Sequence, residues 1–465
     1  MQLQKLNPKN MAFSAVVLVM WGLLILIAGA FSSAFVDIAG NKYALLLAVP
    51  AAILLGILFV VDKYLLLLLI LIFRSGLDAI LDNTKLGPFG LGAVLNALVL
   101  IIGLFAMYRM EKSQRKLVVV VWLPFLIMYG IGVVKAPEIF LSVKLYLSLI
   151  STAAVFALGI YLVKTHQDFY KWMKVIVMSS LIPVGYGLLS IALHLKGFNG
   201  NRLESTFDHP NILAFYLTLI ISVGFYLWKA DAQVFGPRVK KLFPFYLIVL
   251  IGMLLATQTR SAWIGFGTGL VLYGLFFERK YLFVVITLPI IAFMIPEVRD
   301  RILDLNSGNE VVAYAKLNSF AWRKYIWESA INWMEPAKYL TGYGSEGFMY
   351  YSVIFFPLSG GFKTGAHNVY VELFFDLGIF GVLAYITLFA ASAFKIFPLR
   401  KAKLLLSGIA ILQLLQYCLY SYSDNMLFYL SFNWYFWFFI GLVVGLNTLI
   451  KKERDSESIQ PTPQF

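Results

Sequence analysis

Apolar residues run along this chain in long stretches divided by short polar connections. Most stretches approach the roughly 20 residues that cross a hydrocarbon core of about 30 Å. The pattern predicts helices over 11–31, 43–61, 64–81, 91–108, 117–134, 145–163, 175–194, 211–228, 243–257, 262–277, 281–295, 369–392, 404–421 and 430–449. The third run carries Asp78 and Asp82 near its end, and the ninth to eleventh are short. The expected fold class is all-α: a polytopic transmembrane helix bundle of about 14 spans, 12–14 according to how the weaker runs are counted.

One connection is long. It covers 296–367, between the eleventh and twelfth helices, and long loops are where function concentrates. Within it Phe320, Trp322, Ile326, Trp327, Ala330, Ile331, Trp333 and Met334 recur at helical spacing, with Arg323, Lys324, Glu328 and Asn332 towards the other side. A helix over about 317–334 is expected. Its three tryptophans suit a membrane interface, and a helix packed on a small external cap explains the pattern as well.

Composition agrees with a lipid-facing chain: 60% of residues are hydrophobic and only 13% charged, too few polar groups to cover a water-soluble fold of 465 residues. The net charge of +14 does not indicate nucleic acid, because most Lys and Arg sit in short clusters between apolar runs. Their distribution orients the chain. With the N-terminus inside, Lys and Arg favour the cytoplasmic connections at every inside loop, so both termini are expected to be cytoplasmic and 296–367 external. The run after Lys5 and Lys9 is too long for a signal peptide and reads as an uncleaved first helix. Residues 1–450 form one transmembrane domain in this reading, and 451–465, rich in Ser, Gln and Pro, a disordered cytoplasmic tail. No internal repeat is visible. The single cysteine, Cys418, excludes a disulfide framework and a cysteine metal site.

Three polar patches on the external side carry the candidate chemistry. In the first, Asn201 to Asn211, Pro210 suits a helix start, Asp208 or Asn211 could cap it, and Arg202 is left without a structural purpose. In the second, Thr257 to Trp263, Arg260 lies between short apolar helices with no acid near in sequence. Its planar fork suits phosphate oxygens, as in a lipid head group; snorkelling to the interface is the plainer alternative. In the third, Thr364 to Glu372, His367 meets a helix N-terminus, whose positive end favours the neutral imidazole that a general base requires. A histidine that merely caps the helix is the competing reading. Asn368, Glu372 and Asp376 follow at intervals of four on one face, and the two carboxylates are expected to orient an arginine or the histidine. His209 and Asn368 count among the supporting residues. Zinc is disfavoured, since His194, His209 and His367 form no ligand pair at helical spacing. Gly342 to Gly347 matches the glycine spacing of dinucleotide-binding folds but lacks the strand and helix around it, and reads as a flexible turn.

Together, an arginine ahead of Pro210-Asn211, the Thr259-Arg260-Ser261-Ala262-Trp263 turn, the Arg323-to-Trp327 segment leading to Gly342-Tyr343-Gly344, and His367-Asn368 followed by Gly378-Ile379-Phe380-Gly381 resemble the O-antigen ligase and Wzy polymerase family. The resemblance covers about 180–445 and rests on four short patches. It implies a bacterial inner-membrane enzyme that moves a glycan from undecaprenyl diphosphate to an acceptor hydroxyl on the external face, using neither metal nor cofactor. By the same resemblance Arg202, Arg260 and Arg323 contact the diphosphate and His367 serves as base or orients the acceptor. The implied partners are the lipid-linked oligosaccharide, a glycan or lipid acceptor, membrane lipid and, for a polymerase, chain-length regulator proteins. Fourteen spans favour a Wzy-type polymerase slightly over a ligase acting on lipid A core or protein. A transporter of the same lipid-linked sugars is the alternative of another class, although it would place ionisable residues at mid-membrane.

Overall fold

The computed structural model describes residues 53–83, 85, 86, 89–195, 197–199, 202–230, 234–304, 308 and 317–458. The described residues are helical apart from short connections and two two-residue antiparallel hairpins, Lys85–Leu86 with Phe89–Gly90 and Phe198–Asn199 with Arg202–Leu203. The helices are α1 (Lys63–Phe73), α2 (Leu91–Arg109), α3 (Lys112–Val134), α4 (Ile139–Leu162), α5 (His166–Met178), α6 (Leu181–Leu193), α7 (Pro210–Lys229) and α8 (Pro237–Ala256). They continue as α9 (Arg260–Phe276), α10 (Lys280–Phe293), α11 (Pro296–Leu303), α12 (Ser319–Trp333), α13 (Gly347–Phe355), α14 (Val369–Ile396), α15 (Leu404–Ser423) and α16 (Leu430–Glu457).

Two compact units divide the chain: residues 1–69 with 80–98, and residues 70–79 with 99–465. The described part of the first contains helical residues 53–61, most of α1, the first hairpin and the start of α2. The second holds every candidate site residue. Its core is the crossing of α4 and α16, where glycines let two backbones meet: a Cβ on Gly159 would lie 2.6 Å from the Phe438 carbonyl oxygen, and one on Gly441 2.3 Å from that of Phe156. Close backbone approach through small residues is how helices associate where lipid removes the hydrophobic drive.

Nine helices among the described residues are long and apolar enough to cross a membrane, or ten if the bent pair α10 and α11 is one span. The expected fourteen are not reached there, and each difference has a cause. The run 11–31 lies outside the described residues, as does the first part of 43–61. The run 64–81 breaks after Phe73, because Ser75 in the turn donates to the Ser179 carbonyl (2.7 Å) while its own carbonyl accepts from the Thr206 hydroxyl (2.7 Å). Arg74 and Asp78 close that turn as a buried ion pair at 2.7 Å. Helix α9 has 17 residues, and α10 ends before a 94° bend into α11. At the other end α16 runs on to Glu457, so Lys451–Glu457, expected as disordered tail, are helical. Lys, Glu and Arg are good helix formers, and a helix already nucleated extends at little cost.

The described residues 317–367 form a packed unit with α14. Ile326, Trp327, Ala330 and Met334 of α12 pack with Phe348, Phe355, Phe356, Ala366 and Phe375 into a local core. Four residues of the apolar stripe on α12 thus face this core, while Phe320 and Ile331 of the same stripe are exposed.

Candidate functional site

Arg202 leaves the second hairpin and is held by neutral acceptors. Its Nε donates to the Thr257 carbonyl (2.9 Å), and its Nη2 to Asn211 Oδ1 (2.8 Å) and Thr259 Oγ1 (3.2 Å). Burial, then repulsion from Arg301, lowers this guanidinium to about 10, which leaves it cationic at neutral pH. Asn211, in the first turn of α7, is a junction: its Oδ1 also accepts from Thr259 Oγ1 (3.1 Å), and its Nδ2 donates to Asp424. Neither Asp208 nor Asn211 caps α7. The N-cap is His209, whose Nδ1 accepts from the Asn211 backbone N–H at 3.1 Å, while the Asn211 side chain is taken up by Arg202 and Asp424.

Arg260 begins α9, three residues after the carbonyl that holds Arg202. It reaches across to the 296–367 segment, where its Nη2 meets Asp304 Oδ2 (3.4 Å) and Ser319 Oγ (3.2 Å). The acid that pairs it was invisible nearby in sequence because it lies in another element. Arg323 sits one turn along α12 from Ser319, and its charge helps hold the Asp424 carboxyl down.

His367 occupies a left-handed backbone conformation (φ 48°) just ahead of α14. It does not cap the helix. Asn368 does, accepting from the N–H groups of Tyr370 (2.9 Å) and Val371 (3.2 Å). The loop is fixed around the imidazole: Trp327 Nε1 donates to the Ala366 carbonyl (2.7 Å), Glu372 accepts from the Ala366 N–H (3.1 Å), and the Asn368 N–H donates to Asn425 Oδ1 (3.1 Å). The Trp322 ring stands 6.1 Å from the imidazole, edge-on. His367 Nδ1 faces Asp424 Oδ1 at 3.6 Å, too far for a hydrogen bond, and is otherwise unpartnered.

Asp424 is the residue that sequence reasoning missed. It is 1% exposed, between α15 and α16, and accepts from Asn211 and from the Tyr429 hydroxyl. Burial works against its charge, yet the facing His367 ring, the Tyr429 hydroxyl and the charge of Arg323 hold it below the ordinary aspartate range. Asp424 thus ties the Asn211 that grips Arg202 to the histidine ahead of α14. The available signal was an acid ending an expected span in a short connection.

The two supporting carboxylates differ in what they hold. Glu372 holds the backbone beside His367, not the ring itself. Asp376 touches no arginine or histidine in its hydrogen bonds. It accepts from the N–H groups of Glu346 (2.8 Å) and Phe348 (2.7 Å) and so anchors the start of α13. The Gly342–Gly347 turn, expected to be flexible, is pinned to α14: the Tyr343 N–H donates to the Phe375 carbonyl (3.0 Å) and that of Gly344 to the Asp376 carbonyl (2.8 Å). Those carbonyls are free because α14 breaks at Gly378 (φ 67°, ψ −166°). Among the described residues no group of His, Cys, Asp or Glu is arranged to hold a metal ion.

In comparisons with known proteins, residues 245–386 match the family model described as O-antigen ligase. No curated protein matches the chain. The matched stretch contains Arg260, Arg323, the Gly342 turn, His367 and the Gly378 break, whereas Arg202 and Asp424 lie outside it.

Proposed function

From the premise that this multi-pass membrane chain carries an O-antigen ligase region, we propose that it transfers a glycan from undecaprenyl diphosphate to an acceptor hydroxyl on the external face of the bacterial inner membrane. The observation that carries the reading is the convergence of Arg202 and His367, distant in sequence, on Asn211 and Asp424, with Arg260 close enough to Arg202 to repel its charge. Arg202 and Arg260 bind the diphosphate. His367 presents Nδ1 to Asp424, which leaves Nε2 to accept the proton of the acceptor hydroxyl.

The reaction is a direct displacement. The acceptor oxygen bonds to the anomeric carbon, the bond from that carbon to the diphosphate breaks, and the electron pair leaves on undecaprenyl diphosphate, whose charge the guanidinium groups stabilise. No general acid is required, because the leaving group is already an anion. Inversion at the anomeric carbon follows. The long gap between His367 and Asp424 is suited to closing once a hydroxyl pulls on the ring, as catalytic hydrogen bonds often tighten only with substrate.

Purified protein given only undecaprenyl-diphosphate-linked oligosaccharide separates the outcomes. A ladder of products means a polymerase. Product that forms only after a second acceptor is added means a ligase, and movement of intact lipid between leaflets means a transporter and ends the proposal. Arg260→Ala is expected to lower transfer about 10²- to 10³-fold and His367→Ala about 10²- to 10⁴-fold, in protein that still folds and inserts. Full activity in both variants would remove the site assignment.

A further inference from the structure

Two guanidinium groups at the site share a carboxylate that satisfies neither. Asp304 Oδ2 lies 3.4 Å from Arg260 and 3.8 Å from Arg301, both longer than the roughly 2.7–2.9 Å of a good charge-assisted hydrogen bond. Each arginine also keeps a buried nitrogen with no partner, Nη1 of Arg260 and Nε of Arg301. Unmade hydrogen bonds on charged nitrogens shut off from water are costly, so this arrangement is incomplete as it stands. Arg260 is fixed on α9 and tied to Ser319, whereas Asp304 ends the short helix α11 with its side chain 43% exposed. The carboxylate is the member free to leave.

We propose that Arg260 and Arg301 form an anion seat in which Asp304 stands in for a phosphate, and that a phosphate of the lipid-linked substrate displaces it. This rests on reading the donor as a polyprenyl diphosphate. A carboxylate offers two oxygens in a plane. A phosphate offers three at tetrahedral angles, enough to meet both forks at once and to reach the two nitrogens now unpartnered. Arg301 is thereby a binding residue beyond the arginines already assigned to the diphosphate, and Asp304 sets the affinity by competing for the same seat.

The test uses full-length protein in phosphatidylcholine nanodiscs, titrated separately with inorganic pyrophosphate and undecaprenyl diphosphate. Asp304→Asn keeps the shape and removes the competing charge, and is expected to tighten both about fivefold, the scale of a partly exposed ion pair. Asp300→Asn removes the same charge one turn away, where Asp300 meets only the exposed Arg299, and is expected to change neither by more than about twofold. Arg301→Ala in the Asp304→Asn background is expected to erase the gain. The proposal falls if undecaprenyl diphosphate does not bind Asp304→Asn more tightly, or if Asp300→Asn matches the gain. It falls also if the gain is confined to free pyrophosphate, or to phosphatidylglycerol added to the discs. Binding is read without turnover, so tighter binding in a protein that transfers no glycan would reject the proposed reaction and leave the seat standing.

Discussion

At the scale of the residue, the site is organised by a carboxylate that touches neither phosphate nor acceptor in the proposed reaction. Asp424 accepts from Asn211 and Tyr429 and faces His367 Nδ1. It acts through its neighbours, as a positioning residue. Asp424→Asn keeps one acceptor oxygen but loses the charge that stabilises a protonated imidazole, so kcat is expected to fall about 10²-fold with KM for the lipid-linked donor within about twofold. A purely structural role would instead lower the melting temperature and raise KM alongside. Arg202, Arg260 and His367 stood out in the sequence because each lies in a short polar patch between apolar runs. Asp424, Arg301 and Asp304 did not, because their meaning lies in pairings between elements far apart in sequence, which spacing along one element cannot encode.

At the scale of the element, two glycine patches that were read separately turn out to be halves of one joint. Gly378 breaks α14, and the carbonyls of Phe375 and Asp376 that lose their helical donors accept instead from Tyr343 and Gly344. Across the break the Ile379 N–H donates to the Tyr339 carbonyl at 2.8 Å. Within a membrane-spanning helix such a break survives only when every freed group finds a partner. Glycine spacing marked both patches in the sequence; the register between them required the structure. Gly378 has φ +67° with ψ −166°, and a Cβ there would lie 2.2 Å from the Leu340 carbonyl carbon. Gly378→Ala is therefore expected to destabilise the protein by about 2–4 kcal/mol, through backbone strain and displacement of the joint. Gly185→Ala on α6, where nothing lies within 4 Å of the added Cβ, is expected to be neutral or slightly stabilising. Thermal unfolding of both in the same detergent checks the pair, and equal melting temperatures would contradict the role given to the break.

At the scale of the whole molecule, the hydropathy pattern located most of the helices but not their lengths, since tertiary contacts decide where a run breaks or bends. The charge pattern makes a separate claim, an orientation with both termini cytoplasmic and the site external. The site groups gather at one set of helix ends: the N-terminal ends of α7, α9 and α14 and the C-terminal end of α15. The opposite ends carry the basic clusters, and these too meet across elements. Lys452 pairs with Glu111 and Lys229 with Glu278, each at 2.5 Å, and Asn447 donates to the Lys395 carbonyl. Two groups of ends, one rich in Lys and Arg clusters and one bearing the site, are the arrangement expected if the basic loops are retained in the cytoplasm. The orientation can be measured in a Cys418→Ser background with a membrane-impermeant maleimide on intact spheroplasts. Leu358→Cys, exposed in the 296–367 segment, is expected to label from outside, and Ser113→Cys and Ser456→Cys only after permeabilisation. The reverse pattern would put the site on the cytoplasmic face. A glycan donor assembled and consumed on that side would need no passage across the membrane, and the charge asymmetry of the loops would lose its explanation.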